Sequence, residues 1–318
     1  MFPPSQPPSD SGNPARVLLF PSAGMGHLVP FVRLATALSA RGAAVSLLAV
    51  RPTVSASESR LLSSLPPSLL LDFPVSPLDP SLFPPSSDPF FLRFKSLSRS
   101  AHLLLPLLSG DPPVSSLIVD ITVAASVLPF AASANVPCFV LFTSSAAMLA
   151  LLAAFPFLPR PAGEAIDVEI AGFKIPVTSL PPPLSDPNHL FTTLFVENGR
   201  ALPLSAGIVV NTFDALEPLT IAALNSGEVV PGLPPVYAVG PLLPLKTSPY
   251  SPAIQWLDEQ PDRSVVYVSF GSRTAMSTDQ IRELAKGLEM SGRRFLWALK
   301  TAKVDREDVA VEIEELVG

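Results

Sequence analysis

The segment Val17-Leu-Leu-Phe-Pro-Ser-Ala-Gly-Met-Gly-His27 opens the first ordered unit that the sequence predicts. Its continuous apolar start is typical of a strand buried on both faces, and the small residues after it indicate a turn. Apolar side chains then follow helical spacing over 28–41, Gly42 supplies a stop, and a second apolar run at 44–50 predicts another strand. A β-α-β unit of this kind implies a parallel sheet with right-handed crossovers.

The alternation of strands and helices continues along the chain. Strands are predicted at 116–120, 138–142, 207–211 and 235–239. Helices are predicted at 88–108, 122–134, 144–155 and 215–225. The proline-rich stretches between them indicate loops between packed elements.

A second β/α series follows a predicted interdomain linker at 241–252. Its elements are predicted at 254–259, 264–270, 277–290 and 294–299. Ser277 and Gln280 have the spacing of a capping box at the start of the third of these. We therefore predict an α/β protein with a disordered tail at 1–14, a complete N-terminal domain at 15–240 and the start of a second domain at 253–318.

The composition argues against several classes of protein. The 318 residues are 48% hydrophobic and 15% charged, and a net charge of −6 without a basic run argues against a nucleic-acid partner. The single cysteine, Cys138, excludes a disulfide framework and fits a cytoplasmic protein. The uncharged stretch 121–159 contains Pro129 and Pro137, so we expect no membrane span there. No cluster has metal-ligand spacing, and no cofactor is expected.

Three positions follow the carboxyl ends of predicted strands, where open α/β sheets bind their ligands. His27 follows the first strand, Asp120 ends a middle strand, and Thr143 and Ser144 follow another. A histidine and a carboxylate that meet in one cleft can act as a general base and its orienting partner. Spacing alone leaves a second interpretation open, in which the histidine is structural and Asp120 caps a helix.

Two glycine-containing turns bear on nucleotide binding. Gly24-Met-Gly26 matches part of a dinucleotide-binding signature, but the third glycine is missing and the second strand ends at Arg51 without an acidic residue. Hydride transfer is therefore only the second enzymatic interpretation. Gly271 and Ser272 follow a strand, where backbone amides and a hydroxyl suit a phosphate, although an ordinary strand-helix turn fits equally well.

These motifs resemble those of plant UDP-dependent glycosyltransferases, over almost the whole chain. The resemblance implies the GT-B architecture, in which two Rossmann-like domains face each other. The segment 21–30 resembles the loop of the family's catalytic histidine, which implies that role for His27 and a pairing role for Asp120. The segment 142–146 resembles the loop whose hydroxyls reach the donor sugar. The implied donor-binding residues are Thr143, Ser144, Gly271, Ser272 and Arg273.

A narrower resemblance, carried by 88–94 and 269–277, is to the flavonoid C-glucosyltransferase branch. It implies inverting transfer of glucose from UDP-glucose to an aromatic carbon of a phenolic acceptor. O-glucosylation remains an alternative because it needs the same base. The implied acceptor-pocket residues are Gly26, Phe90, Phe91 and Phe94, with core packing as the alternative for the phenylalanines.

The family's main donor-binding segment, which includes His-Cys-Gly-Trp-Asn-Ser, has no counterpart in the 318 residues. Trp297 does not correspond to the tryptophan that begins this segment, because the residues around Trp297 resemble a strand that precedes the segment in the family. We therefore expect a monomeric chain with negligible transferase activity by itself. A catalytically silent acceptor-binding protein is the alternative from another class. His102 is expected to be structural, with a place in the acceptor lining as the alternative, and His189 is expected to be solvated.

Overall fold

The computed structural model describes residues 14–53, 55–79, 81, 83, 89–158, 167–243, 251–271 and 276–299, without the side chains of 89 and 90. The chain divides into two compact units, one of Met1–Thr53 and Ser57–Leu243 and the other of Val54–Ala56 and Pro244–Gly318. The predicted tail 1–14, except Pro14, and most of the predicted linker 241–252 lie outside the described residues. The predicted domain boundaries stay predictions.

The first unit is built on a parallel seven-stranded sheet. The strands described in this unit are β1 (Arg16–Phe20), β2 (Ala44–Arg51), β3 (Leu70–Pro74), β4 (Ser116–Asp120), β5 (Cys138–Phe142), β6 (Val168–Ile170), β7 (Phe173–Ile175), β8 (Gly207–Val210) and β9 (Val236–Ala238). The order across the sheet is β3-β2-β1-β4-β5-β8-β9, while β6 and β7 form a separate antiparallel hairpin. The predicted parallel α/β sheet is confirmed.

Eight α-helices are described between these strands along the chain. They are α1 (Met25–Ser39), α2 (Ala56–Ser63), α3 (Pro89–Arg99), α4 (Leu105–Leu108), α5 (Ala124–Ser133), α6 (Ala146–Ala154), α7 (Leu190–Ala201) and α8 (Pro218–Ser226). The prediction of one helix over 88–108 is wrong, because α3 ends at Arg99 and a 3₁₀ turn precedes α4. Pro106 near the start of α4 has no amide to donate to a preceding turn, so a new helix begins there.

The core lies around the central strands. Leu18, Leu19 and Phe20 of β1 are at most 1% exposed, and successive strand residues point to opposite faces, so both faces of the sheet are covered. Seven of the nine residues of α6 are buried, which explains the uncharged stretch 121–159 as core. Among the described residues, no helix combines the length and apolar character needed to cross a bilayer.

The second unit contains α9 (Pro252–Asp258), β10 (Val265–Ser269), α10 (Thr278–Met290) and β11 (Arg294–Ala298). β10 and β11 pair in parallel. The predicted capping box is confirmed, since Ser277 Oγ accepts from the Gln280 amide at 3.3 Å and Gln280 Oε1 accepts from the Ser277 amide at 3.0 Å. Ile281 is the only buried residue among those described in this unit, so the described part of the unit contains little core.

Gly199 lets α7 pack closely against α6. A Cβ at this position would lie 2.3 Å from the carbonyl oxygen of Leu152 and 3.0 Å from Pro156 Cγ. We expect Gly199→Ala to lower the free energy of unfolding by about 1–3 kcal/mol, because a backbone oxygen cannot move aside as a flexible side chain can. Urea unfolding followed by circular dichroism measures the change. Gly287→Ala is the control, since nothing lies within 4 Å of that position in α10; equal midpoints for both variants would contradict the packing argument.

Candidate active site

The carboxyl ends of β1 and β4 lie side by side where the strand order of the sheet reverses. β1 pairs with β2 on one side and with β4 on the other, and Phe20 is in register with Val119. The chain fills one half of the sheet with β2 and β3 before it crosses to β4. Open α/β sheets bind ligands at such a switch point, so the residues that follow β1 and β4 share the expected crevice.

His27 and Asp120 meet at this edge. His27 Nδ1 lies 2.8 Å from Asp120 Oδ2. The Asp120 side chain is 0% exposed, whereas that of His27 is 21% exposed, so the imidazole reaches solvent and the carboxylate does not. The expectation that His27 precedes the helix is wrong, because α1 begins at Met25 and His27 lies in its first turn.

Asp120 holds the imidazole in one orientation. Its other oxygen, Oδ1, accepts from the Thr122 amide at 2.9 Å and from Thr122 Oγ1 at 2.6 Å. Burial raises the pKa of Asp120, but the charge of His27 and the hydrogen bonds from His27 and Thr122 outweigh it, so this pKa lies below its ordinary value. An ionised Asp120 accepts a hydrogen from Nδ1, which puts the basic lone pair of a neutral His27 on Nε2.

Asp120 makes both of the contacts that the two interpretations expected of it. Asp120 is the N-cap of the 3₁₀ turn Ile121–Val123, and it also orients His27. Asn198 of α7 fastens the same turn, because its Nδ2 donates to the Thr122 carbonyl at 3.0 Å and its Oδ1 accepts from the Ala125 amide at 2.9 Å. The sequence analysis missed Asn198, because no local pattern distinguishes it from the other polar residues of α7.

Glu58 fixes the backbone that precedes His27. It is 3% exposed and accepts a hydrogen bond from the amide of Gly24, the residue before α1. Gly24 has a φ of 97°, a conformation that favours glycine. Burial lowers the pKa of Arg93, and the neighbouring Glu58 opposes part of that effect, while the guanidinium donates to the Pro52 carbonyl. The sequence analysis gave Glu58 no role.

Aromatic rings extend from His27 along α3. The Phe94 ring is 5.8 Å from the His27 ring in an edge contact, and Phe91 lies 6.4 Å from Phe94. Phe94 is 4% exposed and Phe91 is half-buried, so Phe94 packs into the protein while Phe91 retains open surface. Gly26 is exposed in the first turn of α1, and the Phe90 side chain lies outside the described residues. Their predicted acceptor roles stay predictions.

His189 joins this aromatic surface, contrary to the expectation that it is solvated. It is half-buried, and its ring makes an edge contact with Phe91 at 5.5 Å. Its Nδ1 accepts from the Phe191 amide at 3.1 Å and so caps the start of α7. By contrast, His102 is exposed in a 3₁₀ turn and contacts the Arg99 carbonyl through Nδ1.

The predicted donor-sugar loop connects β5 to α6. Thr143 is half-buried and Ser144 is exposed. Ser145 caps α6, because its Oγ accepts from the Met148 amide at 3.2 Å. The cap thus uses Ser145 and leaves Thr143 and Ser144 as the predicted donor contacts.

Glu217 occupies the N-terminus of α6. Its carboxylate accepts from the amides of Ala146 and Ala147 at 3.0 Å each and from Thr212 Oγ1 at 2.6 Å. Burial raises the pKa of Glu217, but the hydrogen bonds from Thr212, Ala146 and Ala147 prevail and hold it below its ordinary value. The first amides of α6 therefore already have an anionic partner, and the sequence analysis missed this residue too.

The predicted diphosphate contacts belong to the second unit. Gly271 follows β10, is exposed and has a φ of 78°, in the left-handed region that glycine adopts without strain. Ser272 and Arg273 lie outside the described residues. All three donor roles stay predictions.

Comparison with known proteins gives no matching family model. A rice relative (Oryza sativa subsp. japonica), "UDP-glycosyltransferase CGT", is 55% identical over 321 residues, which cover 97% of this chain and 68% of the relative. The crystal structure of LpCGTa in complex with UDP matches with 48% identity and a TM-score of 0.77, over 90% of this chain and 66% of that one. Phytolacca americana UGT2 with UDP-2fluoro-glucose and pterostilbene matches with 32% identity and a TM-score of 0.75, over 89% of this chain and 66% of that one.

This chain therefore spans about two thirds of the length of the proteins that it matches. The expected GT-B fold class is confirmed by these structural neighbours and by the parallel sheet. The sequence identity to the rice relative, over this share of its length, shows that the chain belongs to the plant UDP-glycosyltransferase family.

Proposed function

We propose that the protein transfers glucose from UDP-glucose to an aromatic carbon of a phenolic acceptor, with inversion at the anomeric carbon. The observation that carries this proposal is the 2.8 Å contact between His27 Nδ1 and Asp120 Oδ2 at the switch point of the sheet. The name of the rice relative, "UDP-glycosyltransferase CGT", supports the sugar-nucleotide donor and the carbon linkage.

The proposed chemistry follows the flow of charge. His27 Nε2 takes the phenolic proton, and the buried carboxylate of Asp120 stabilises the imidazolium that forms. The phenolate pushes electron density onto its ortho carbon, which attacks the anomeric carbon from the face opposite UDP. A carbon–carbon bond forms as the bond to the diphosphate oxygen breaks, and UDP leaves with that electron pair. The attacked ring carbon then loses its proton to water, and the His27 imidazolium returns its proton to the phenolic oxygen, which restores the aromatic phenol and the neutral base.

Three groups of residues are the proposed substrate contacts. The donor sugar would contact the hydroxyls of Thr143 and Ser144, and the diphosphate would contact Gly271, Ser272 and Arg273. The acceptor would lie against Gly26 and the aromatic side chains of α3. The exposed Ser144 and the half-buried Thr143 and Phe91 support these assignments, because a ligand needs accessible surface.

O-glucosylation is the runner-up, because the same base serves it and only the acceptor atom that faces the sugar differs. A chimera in which this chain is continued by the last third of the rice relative separates the two. With UDP-glucose and phloretin we expect a monoglucoside whose linkage survives hot acid, because a carbon–carbon bond does not hydrolyse. An acid-labile product would favour the runner-up, and a folded chimera that forms no glucoside would contradict both.

A further inference from the structure

Two histidines lie at opposite ends of one row of aromatic rings. The aromatic row consists of His27, Phe94, Phe91 and His189, in that order. The successive ring centroids are 5.8, 6.4 and 5.5 Å apart. The two phenylalanines belong to α3, whereas His27 belongs to α1 and His189 immediately precedes α7. The row therefore joins the proposed base to an imidazole on another part of the fold.

The helix cap decides which nitrogen of His189 carries the proton. Nδ1 accepts the hydrogen of the Phe191 amide, so it cannot carry a hydrogen of its own, and the neutral ring must be protonated on Nε2. Within the described part of the chain, no residue forms a hydrogen bond with Nε2. A half-buried donor of this kind gains a partner when an oxygen atom of a ligand reaches it.

The surface between the two imidazoles suits an uncharged aromatic ligand. Phe91 and Phe191 are half-buried and contact each other at 5.4 Å, so their rings present apolar surface beside His189. Arg93 of α3 donates to the Pro52 carbonyl. Stacking on such rings favours an aromatic ring in the ligand.

We infer that His189 recognises the far end of the acceptor, which is a two-ring phenol with an oxygen substituent on the second ring. The ring to be glucosylated lies beside His27, and the oxygen of the other ring accepts a hydrogen bond from His189 Nε2. This inference rests on the proposed function, since it takes the aromatic row as the acceptor site. Single-ring phenols and two-ring phenols without that oxygen would bind more weakly.

Calorimetric titration of the 318-residue chain with two ligands tests the inference. The ligands are phloretin and its analogue that lacks the hydroxyl of the distal ring. We expect the chain to bind phloretin about 2- to 12-fold more tightly than the analogue, as one net hydrogen bond predicts. His189→Asn keeps a side-chain acceptor that caps α7 but has no donor at the position of Nε2, so the ratio should fall to about 1.

Two further variants separate recognition from folding. His189→Phe keeps a ring against Phe91 and removes the donor, so it should also bring the ratio to about 1. His102→Asn, at the exposed histidine, should leave the ratio unchanged. A ratio that persists in folded His189→Asn, or equal binding of both ligands by the wild-type chain, would overturn the inference and leave the proposed acceptor site standing. Binding of neither ligand by a chain that circular dichroism shows to be folded would overturn both.

Discussion

Replacing His27 by Ala in the chimera with the rice C-terminal third is expected to lower kcat by about 10²–10⁴. In the proposed mechanism the imidazole removes the phenolic proton, and a phenol that keeps its proton is a weak carbon nucleophile. Asp120 lies 2.8 Å from Nδ1 and is fully buried, so it holds the imidazole in one orientation. A water molecule in place of the imidazole would not be held in this way. Initial rates with saturating UDP-glucose and phloretin measure the loss.

Asp120→Asn provides the matched variant, because it keeps the size of the side chain and removes its charge. The amide can donate to Nδ1, which shifts the imidazole hydrogen to Nε2 and removes the base from the acceptor side. Since both residues act as one unit, the double variant should lose little more than His27→Ala alone. His102→Ala is the control and should turn over normally. Unchanged turnover in His27→Ala would remove this residue from the mechanism.

The 318-residue chain by itself is expected to form glucoside at least about 10³-fold more slowly than the chimera, because remote donor contacts supply much of the energy that stabilises a transition state. The described part of the second unit has one parallel strand pair and a single buried residue, Ile281. The chain spans about two thirds of the length of the rice relative, and the uracil and ribose contacts are expected in the remaining third. Product formation at equal concentrations of the two proteins measures the difference.

Acceptor binding provides the control for that comparison. The first unit contains the His27–Asp120 pair and the aromatic rings of α3, so the chain and the chimera should bind phloretin with similar affinity. Loss of binding in the chain would indicate misfolding and not a missing donor site. Turnover by the chain within about tenfold of the chimera would show that the donor contacts of the extra segment are dispensable.

The central strands were predictable because of their burial. Strands covered on both faces are continuous apolar runs, and the predicted 116–120 and 138–142 agree with β4 and β5 at both ends. The sequence analysis missed β3, whose short run contains Asp72 and lies between proline-rich stretches. It also missed α7, although Leu190, Leu194 and Phe195 have helical spacing, because the prolines before it favoured a loop.

The residues that hold the loops of the site in place could not be predicted in the same way. Glu58 contacts Gly24 across 34 positions of sequence, Asn198 contacts Thr122 across 76, and Glu217 contacts Ala146 across 71. No local pattern marks these residues, since each acts on a loop that only packing brings near. The same holds for His189, whose contact with Phe91 depends on how α7 lies against α3.

The sequence alone established the α/β class, the central strands, and the placement of His27 and Asp120 after or at the ends of strands. It did so because buried strands and helices leave apolar runs and helical spacing in the sequence. The tertiary structure decided that β1 and β4 are neighbours. Chain order does not determine strand order in a parallel sheet, since each crossover can place the next strand on either side. That pairing brings the imidazole and the carboxylate to 2.8 Å, which is the contact that the proposed base requires.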